Sequence, residues 1–282
     1  MLRMRLVRAF SPDDIAFATH LASREGWEIS AGDYRNLISF EPQGCFIAED
    51  AGEPVGLITT IAYGKLGWIG SLIVDDTHRG QGYGRTLLET GIGYLLDNGV
   101  RTVGVDATPA GAFLYESAGF WHAFDTLHWR RPALPAPAPL PDSLVPFGPS
   151  QLHEVTMFDW APFGGRRRRV LRAQLGLSPV AHIVQDQDGI GGYLLARRGN
   201  SHWIIGPWVC VRSAEALLTA ALADIGQEPV DLAVPQVNED ALQLLPRYGF
   251  EIQSHEQRMY LGDEEGIGRP QRIYATAGPE KA

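Results

Sequence analysis

The amino-acid sequence predicts an α/β protein made of two related halves, and three observations lead to this prediction. Short apolar segments with strand character alternate with helical patterns along the chain, which favours a sheet covered by helices. Five of the ten residues over 132–141 are proline, so this stretch is expected to be an extended linker. Segments before it are echoed after it in the same order, for example 10–15 by 147–152.

The first half has the clearer succession of elements. Pro12, followed by two acidic residues, is typical of a helix start. Alternating and continuous apolar runs indicate the strands, and turn residues separate them. The predicted elements are a strand over 5–9, a helix from 13 to about 25, a helix over 33–40, strands over 44–48, 55–61 and 68–74, a helix ending at 98, a strand over 100–105, a helix over 110–119 and a closing strand over 123–130.

The segment 74–85 joins a buried strand to a helix through three alternate glycines. They are Gly80, Gly82 and Gly84. Glycines at this spacing let backbone N–H groups turn inward, and the helix N-terminus with Arg79 and Arg85 favours an anion. The spacing fits neither a P-loop, which needs a following lysine, nor a dinucleotide fingerprint. It therefore predicts a phosphate-binding loop of another kind.

Two motifs identify the first half as a member of the GNAT N-acetyltransferase superfamily. Arg79-x-x-Gly82-x-Gly84 resembles the superfamily's pyrophosphate loop, Gln/Arg-x-x-Gly-x-Gly/Ala. The segment 114–120, with Tyr115 shortly before Gly-Phe, resembles its second signature. Both motifs stand in the family's order, and the resemblance implies a mixed-sheet α/β fold.

The activity that this resemblance implies is direct transfer of an acetyl group from acetyl-CoA to an amine. By the family's spacing, the Leu72 N–H would face the thioester carbonyl and the Val74 N–H the pantetheine arm. Tyr115 would protonate the departing thiolate, and donors aimed at a developing oxyanion lower a barrier by a few kcal/mol. The implied CoA contacts are Leu72, Val74, Arg79, Gly80, Gln81, Gly82, Tyr83, Gly84 and Arg85.

The general base stays open at this stage. Asp106 and Glu28 lie in segments that border GNAT acceptor sites, so either could take a proton from the amine. Carboxylates in such segments are more often solvated loop residues or capping residues. Thr108 stands where the family often has asparagine, seven residues before the tyrosine.

Other residues have two interpretations each. Trp27, Trp160 and Trp203 could line a pocket, although tryptophans are more often part of a core. The arginine run 166–169, with Arg172, is expected on a helix. It could be a solvated face with internal ion pairs, or a site for an anionic acceptor or the CoA 3′-phosphate.

The second half resembles the first without its functional motifs. The strand at 69–72 is echoed by 205–208, but 211–216 contains no glycine where the phosphate loop would stand, and Leu245 takes the place of the tyrosine. The chain thus resembles bacterial proteins of tandem GNAT domains, here with a degenerate second copy. We expect a catalytic domain over 1–131, a linker over 132–142 and a structural or acceptor-lining domain over 143–282, with one CoA site per chain.

Composition limits the partners. The formal net charge is −9, which argues against nucleic acid. Cys45 and Cys210 are the only cysteines, and the histidines show no ligand spacing, so no disulfide or metal is expected. Without a signal peptide or a run of about 18 apolar residues, a cytoplasmic protein without a membrane partner is expected. The oligomeric state stays open.

Three functions remain open from the sequence. The first is acetylation of a small-molecule amine, which an intact loop together with Tyr115 favours. The second is a CoA-binding or sensor module without catalysis. The third is acetylation of a peptide or protein.

Overall fold

The computed structural model describes residues 6–140 and 142–282, and within them one continuous sheet of 13 strands. The first half contains β1 (Leu6–Ala9), α1 (Ile15–Arg24), α2 (Ala31–Phe40), β2 (Phe46–Asp50), β3 (Glu53–Ala62), β4 (Leu66–Val74), α3 (Tyr83–Asp97), β5 (Thr102–Ala107), α4 (Ala112–Ser117) and β6 (Trp121–Arg131). The predicted succession of elements is therefore confirmed, apart from residue 5, which lies outside the described residues.

The second half repeats this succession with one additional strand. It contains β7 (Leu144–Pro146), α5 (Leu152–Phe163), α6 (Arg168–Leu177), β8 (Val180–Asp186), β9 (Gly189–Arg198), β10 (Trp203–Cys210), α7 (Ala214–Ile225), β11 (Val230–Pro235), α8 (Glu239–Leu244), β12 (Glu251–Gly262) and β13 (Ile273–Ala275). The β4–β5 and β10–β11 pairs are parallel, while the other pairs are antiparallel. The mixed α/β sheet expected from the sequence is thus present.

Local sequence explains where the helices begin and which face they bury. α2 starts after Ser30, whose hydroxyl accepts a hydrogen bond from the Asp33 N–H (3.1 Å), while the Asp33 carboxylate accepts one from the Ser30 N–H (3.0 Å). α3 buries Leu87, Leu88 and Leu95, which recur at helical spacing and join the core above β3.

The two halves exchange their last long strands. The strand order is β1-β2-β3-β4-β5-β12-β6-β11-β10-β9-β8-β7. β12 of the second half pairs with β5, with Met259 opposite Val105, and β6 of the first half pairs with β11, with Leu127 opposite Val234. The expectation that β6 closes the first half's own sheet was wrong, because β12 takes that place beside β5.

A gap opens between β4 and β5. They pair only from Leu66 to Trp68, opposite residues 102–104, although both strands continue beyond these positions. On its other side β4 carries a bulge against β3, where Ser71 has a positive φ of 47°. The diverging strand ends therefore leave a cleft at the place where the glycine loop begins.

The corresponding gap in the second half is filled by the chain itself. β10 and β11 pair at two positions, and β13 then pairs with β10 instead. The Asn238 side-chain amide donates a hydrogen bond to the Ile273 carbonyl (2.9 Å), and the Thr276 N–H donates one to the Ala233 carbonyl (2.9 Å). A second ligand cleft therefore has no room between these strands.

The proline-rich stretch has no regular secondary structure over 132–140 and lies against the second half. The Arg131 guanidinium donates hydrogen bonds to the carbonyls of Leu134 (3.1 Å) and Pro135 (2.8 Å), and the Leu140 N–H donates one to the Thr219 hydroxyl (3.2 Å). The domain boundaries at 131 and 143 stay a prediction.

Candidate active site

The cleft between β4 and β5 has a volume of about 640 Å³, and we call it the β4–β5 cleft. Leu72 and Val74 line one side, and Tyr115 on α4 lines the other. Leu72 and Val74 are half-buried and flank the buried Ile73, as expected of alternate residues in a strand. The loop before α3 closes one end of the cleft.

The glycine loop has the backbone that the sequence requires. Gly80 and Gly82 have φ values of 73° and 86°, a region that other residues adopt only with strain. A Cβ atom on Gly84 would lie 3.5 Å from Leu114, which is ordinary contact. The N-terminus of the 15-residue α3, which begins at Tyr83, therefore faces the cleft and suits an anion.

Most polar side chains of the loop line the cleft. Arg79 and Arg85 line the cleft, as does the buried Tyr83. Arg79 is held by Glu25 and Asp76, and its Nε donates to the Val74 carbonyl (3.0 Å), whereas Arg85 contacts the Ser117 hydroxyl (3.3 Å).

Gln81 differs from its neighbours in the loop. It is not among the residues that line the cleft, because its side-chain amide donates to the Thr77 carbonyl (3.0 Å). A contact between the Gln81 side chain and a ligand in the cleft is therefore not supported.

Tyr115 lies where the cleft narrows. Its ring packs on Phe120 with the centroids 5.5 Å apart, and only 7% of the residue is exposed. Burial and then the charge of Glu256 raise the pKa of the Tyr115 phenol, so it stays protonated at neutral pH. Its hydroxyl has no hydrogen-bond partner within residues 6–140 and 142–282.

Asp106 adjoins Tyr115 but is already bound on both carboxylate oxygens. Arg258 of β12 forms two hydrogen bonds to it, of 2.6 and 2.7 Å, and the Thr126 hydroxyl donates a third of 2.8 Å. The Asp106 and Arg258 side chains are 1% and 4% exposed. This arrangement suits a structural ion pair between the halves better than a general base.

Glu28 does not line the β4–β5 cleft. It is an exposed residue that follows Trp27 in the chain, and its Oε2 is 3.4 Å from Nε2 of His202. Glu28 does not line the narrow space beside Tyr115. The base role of either carboxylate stays a prediction.

Two further spaces continue from the cleft. A narrow throat of about 30 Å³ is lined by Leu72, Asp106 and Tyr115 on one side and by Glu256 on the other. It adjoins an inner cavity of about 390 Å³ between the two halves, which Glu256 and Trp27 also line. The throat therefore shares Tyr115 with the cleft and Glu256 with the inner cavity.

The throat brings in Glu256, a residue that sequence reasoning missed. Its Oε2 lies 3.1 Å from Nε2 of His128 on the neighbouring strand β6, and 15% of its side chain is exposed. Burial raises the pKa of Glu256, opposed in part by His128. Burial alone would lower the pKa of His128, but the hydrogen bond to Glu256 and nearby carboxylates raise it.

No sequence motif marked Glu256, since only the strand exchange places β12 beside β5. In the sequence, Glu256 and its partner His128 look like ordinary polar residues of strands in which polar and apolar residues alternate. One feature of the sequence could have indicated it. The residues over 253–257 are all polar, whereas a strand with one solvent-facing side has polar residues only at alternate positions.

The segment 278–282 completes the wall of the throat. The Trp68 indole N–H donates to the Pro279 carbonyl (2.7 Å), and the Tyr63 hydroxyl donates to the Lys281 carbonyl (2.8 Å). A Cβ atom on Gly70 would lie 2.6 Å from the Glu280 Cα, so only glycine fits at position 70.

The tryptophans and arginines singled out by sequence lie mostly elsewhere. Trp27 lines the cleft, the throat and the inner cavity, whereas Trp203 is buried in the core of the second half. Trp160 is 40% exposed and lies under Arg166.

Two residues of the arginine run are bound to acidic side chains, and the expected helix was wrong in part because α6 begins only at Arg168. Arg167 is buried and binds Asp159 through hydrogen bonds of 2.8 and 2.9 Å. Arg169 binds Glu41 (3.0 Å). None of the residues 166–169 lines the β4–β5 cleft.

The corresponding positions of the second half lack this chemistry. Arg212, in the short connection between β10 and α7, is paired with Asp186 (2.7 Å). Leu245 is fully buried in the hydrophobic core. The second half thus has neither a glycine loop nor a tyrosine at the equivalent places.

This fold and site define a tandem protein of the GNAT class, and comparison of the sequence with protein families agrees. The Acetyltransferase (GNAT) family matches residues 13–120, and an Acetyltransferase (GNAT) domain matches residues 155–275. The chain therefore belongs to the GNAT superfamily and is an acetyltransferase of the tandem-GNAT type.

Individual relatives support the same assignment. The chain is 28% identical over 237 residues to the uncharacterized N-acetyltransferase YitH of Bacillus subtilis (strain 168), covering 82% of each protein. It is 36% identical over 102 residues to the mycothiol acetyltransferase of Thermobispora bispora, covering 33% of this chain and 35% of that protein.

Solved structures share the fold. A Pyrococcus horikoshii protein assigned to the acetyltransferases superposes with a TM-score of 0.83 at 24% identity, covering 100% of this chain and 97% of that one. A tandem GNAT protein from the clavulanic acid biosynthesis pathway superposes with a TM-score of 0.62 at 14% identity, covering 92% and 98%. Among the described residues, no helix combines the length and apolar character needed to cross a membrane.

Proposed function

We propose that this protein transfers an acetyl group from acetyl-CoA directly to the amine of a small molecule. The observation that carries the proposal is the throat beside Tyr115, which shares lining residues with two larger spaces. The β4–β5 cleft ends there on one side, and the inner cavity between the halves begins beyond the throat on the other. A donor and an acceptor can thus approach one another from opposite sides.

The residues of the β4–β5 cleft fit acetyl-CoA. The N–H groups at the start of α3, with Arg79 and Arg85, would hold its pyrophosphate. The bulge in β4 leaves an extra residue beside Leu72 outside the regular strand pairing, and the Leu72 N–H would polarise the acetyl carbonyl from there. The Val74 N–H would hold the pantetheine arm, and bound acetyl-CoA supplies an activated acetyl thioester.

Tyr115 and Glu256 would handle the two protons of the reaction. Tyr115 stays protonated and has a free hydroxyl, so it can donate a proton to the thiolate as it leaves. An amine must lose a proton to attack, and Glu256 lies in the throat on the side of the inner cavity. A carboxylate with a raised pKa is a stronger base, and His128 orients it.

The size and position of the inner cavity favour a small acceptor. Its volume of about 390 Å³ lies within the range usual for small-molecule sites, and residues of both halves line it. Acetylation of small amines is therefore the function that the geometry supports best.

Release of free CoA from acetyl-CoA by the purified full chain, measured across a panel of small amines and peptides, tests this proposal. We expect turnover with at least one small amine and formation of its N-acetyl product. Binding of acetyl-CoA without turnover of any amine would indicate the sensor module instead. Turnover with peptides alone would indicate the peptide acceptor class.

A further inference from the structure

The inner cavity is rich in ionisable side chains, and half of them are acidic. Those that line it are Glu28, His128, Arg130, Arg197, His202, Asp231, Glu256 and Glu280. Four carboxylates thus face two arginines and two histidines. A cavity of this composition repels a multiply charged anion such as a phosphate and favours a ligand with a positive group.

All but one of these charges are satisfied within the protein. Arg130 binds Asp231 through two hydrogen bonds of 2.8 and 2.5 Å. His202 lies 3.4 Å from both Glu28 and Asp231, and Glu280 is paired with Lys281. Glu256 is bound to His128, as described above.

Arg197 is the exception. It lies near the end of β9, opposite Ile204 of β10, and is half-buried. Within residues 6–140 and 142–282 its guanidinium has no hydrogen bond or ion pair. A half-buried cation without a hydrogen-bonded partner has lost part of its hydration and has not replaced the hydrogen bonds that water made.

The carboxylate of Asp33 interacts electrostatically with Arg197, but its hydrogen bonds are made with other residues. It accepts hydrogen bonds from the N–H (3.0 Å) and the hydroxyl (2.7 Å) of Ser30, and Lys281 lies 3.3 Å away. The guanidinium N–H groups of Arg197 are therefore available to bind another group. A planar guanidinium matches a carboxylate with two parallel hydrogen bonds.

We propose that the acceptor is an amine that also carries a carboxylate, and that Arg197 binds this carboxylate while the amine lies in the throat between Glu256 and Tyr115. This inference rests on the function proposed above and names its substrate class. It makes the acceptor an amino acid or a close derivative, and it explains why one wall of this cavity keeps an unpaired arginine.

Matched acceptors test the proposal, each amino acid beside its carboxamide: L-lysine and lysinamide, L-phenylalanine and phenylalaninamide, L-glutamine and glutaminamide. The full chain is assayed at saturating acetyl-CoA as wild type, Arg197→Gln and Arg197→Lys. Arg198→Gln is the control, because Arg198 is the next residue, is exposed, pairs with Glu228 and does not line the inner cavity.

We expect the wild type to prefer an acid over its amide. Arg197→Gln should raise KM for the acid by about 10- to 100-fold, the factor of a lost charge-assisted hydrogen bond, and abolish the preference. Arg197→Lys should keep part of the preference. Arg198→Gln, and acetyl-CoA affinity in every variant, should be unchanged.

The outcomes separate this proposal from the function on which it rests. Acetyl transfer without preference for the acid, or with an unchanged preference in Arg197→Gln, would overturn the carboxylate site and leave the acetyltransferase function standing. If no amine in the panel is acetylated, the carboxylate site is tested by calorimetric titration of the CoA-loaded protein with each amino acid and its carboxamide. Tighter binding of an acid that Arg197→Gln abolishes would support the site, and no such difference would refute it.

Discussion

At the scale of single residues, the surroundings of Tyr115, Glu256 and Asp106 determine which of them can donate or accept a proton. The phenol of Tyr115 is buried and without a partner, so it keeps its proton. Glu256 is half-buried beside His128, which supports a base, whereas Asp106 is bound to Arg258 on both oxygens. Two carboxylates that border one throat therefore take different roles because of their partners.

Replacing Tyr115 with phenylalanine should lower kcat by about 10- to 1000-fold, since only the proton donor is lost while the ring packing on Phe120 remains. Acetyl-CoA affinity should change little. Steady-state kinetics with the acetylated amine, together with calorimetry, measures both quantities. An unchanged kcat with chemistry rate-limiting would assign Tyr115 a purely structural role.

Gly84→Asp should abolish acetyl-CoA binding in a folded protein. The new Cβ would meet only ordinary contacts, but a carboxylate at the start of α3 repels phosphate and opposes the helix dipole. Gly82→Asp would have the same effect but adds backbone strain at a φ of 86°. Gly93→Asp is the matched control in α3, because nothing lies within 4 Å of its added Cβ.

Calorimetric titration with acetyl-CoA checks the prediction for these loop variants, with circular dichroism as the test of folding. Wild-type affinity in folded Gly84→Asp would show that the loop does not hold the phosphates. Loss of binding in Gly93→Asp as well would mean that any added charge on α3 disturbs the protein.

At the scale of elements, the exchange of β6 and β12 decides what the sequence could and could not predict. Strand and helix positions follow from local patterns, so β4, the glycine loop and α4 were predictable. Strand pairing depends on contacts far apart in the chain, and nothing in the sequence around β12 shows that it pairs with β5. Glu256, Arg258 and the wall formed by 278–282 were therefore missed.

The buried ion pair across this exchange should be important for stability. Arg258→Ala leaves the Asp106 carboxylate buried without its cation, so the free energy of unfolding should fall by about 3–5 kcal/mol. Arg247→Ala removes an exposed pair with Glu215 and should cost no more than about 1 kcal/mol. Denaturant titration measures the free energy of unfolding of both variants. An equally small loss in the two would mean that the exchange of β6 and β12 does not depend on the Asp106–Arg258 pair.

At the scale of the whole molecule, one half supplies a ligand cleft and the other completes it. β13 fills the equivalent gap of the second half, where Arg212 is already paired with Asp186. We therefore predict one acetyl-CoA per chain, since several converging N–H donors are absent from the second half and each charge-assisted hydrogen bond contributes about 1.5–3 kcal/mol. Calorimetry that showed two equivalent sites would contradict this.

The central claim is that acetyl transfer occurs at a site shared by both halves, and Glu256→Gln tests it most directly. The measurement is the pH dependence of kcat and kcat/KM at saturating acetyl-CoA, with Glu251→Gln, an exposed residue at the start of the same strand, as the control. The groups that face Glu256 are His128, Asp106, Arg258 and Tyr115.

For the wild type, kcat/KM should rise with pH through the raised pKa of Glu256, because the base acts only when it is deprotonated. Glu256→Gln should lower kcat by about 100- to 10,000-fold and remove that limb of the profile, with acetyl-CoA affinity unchanged and Glu251→Gln behaving as wild type. A folded Glu256→Gln that kept the kcat and the pH profile of the wild type would show that the second half takes no part in the chemistry.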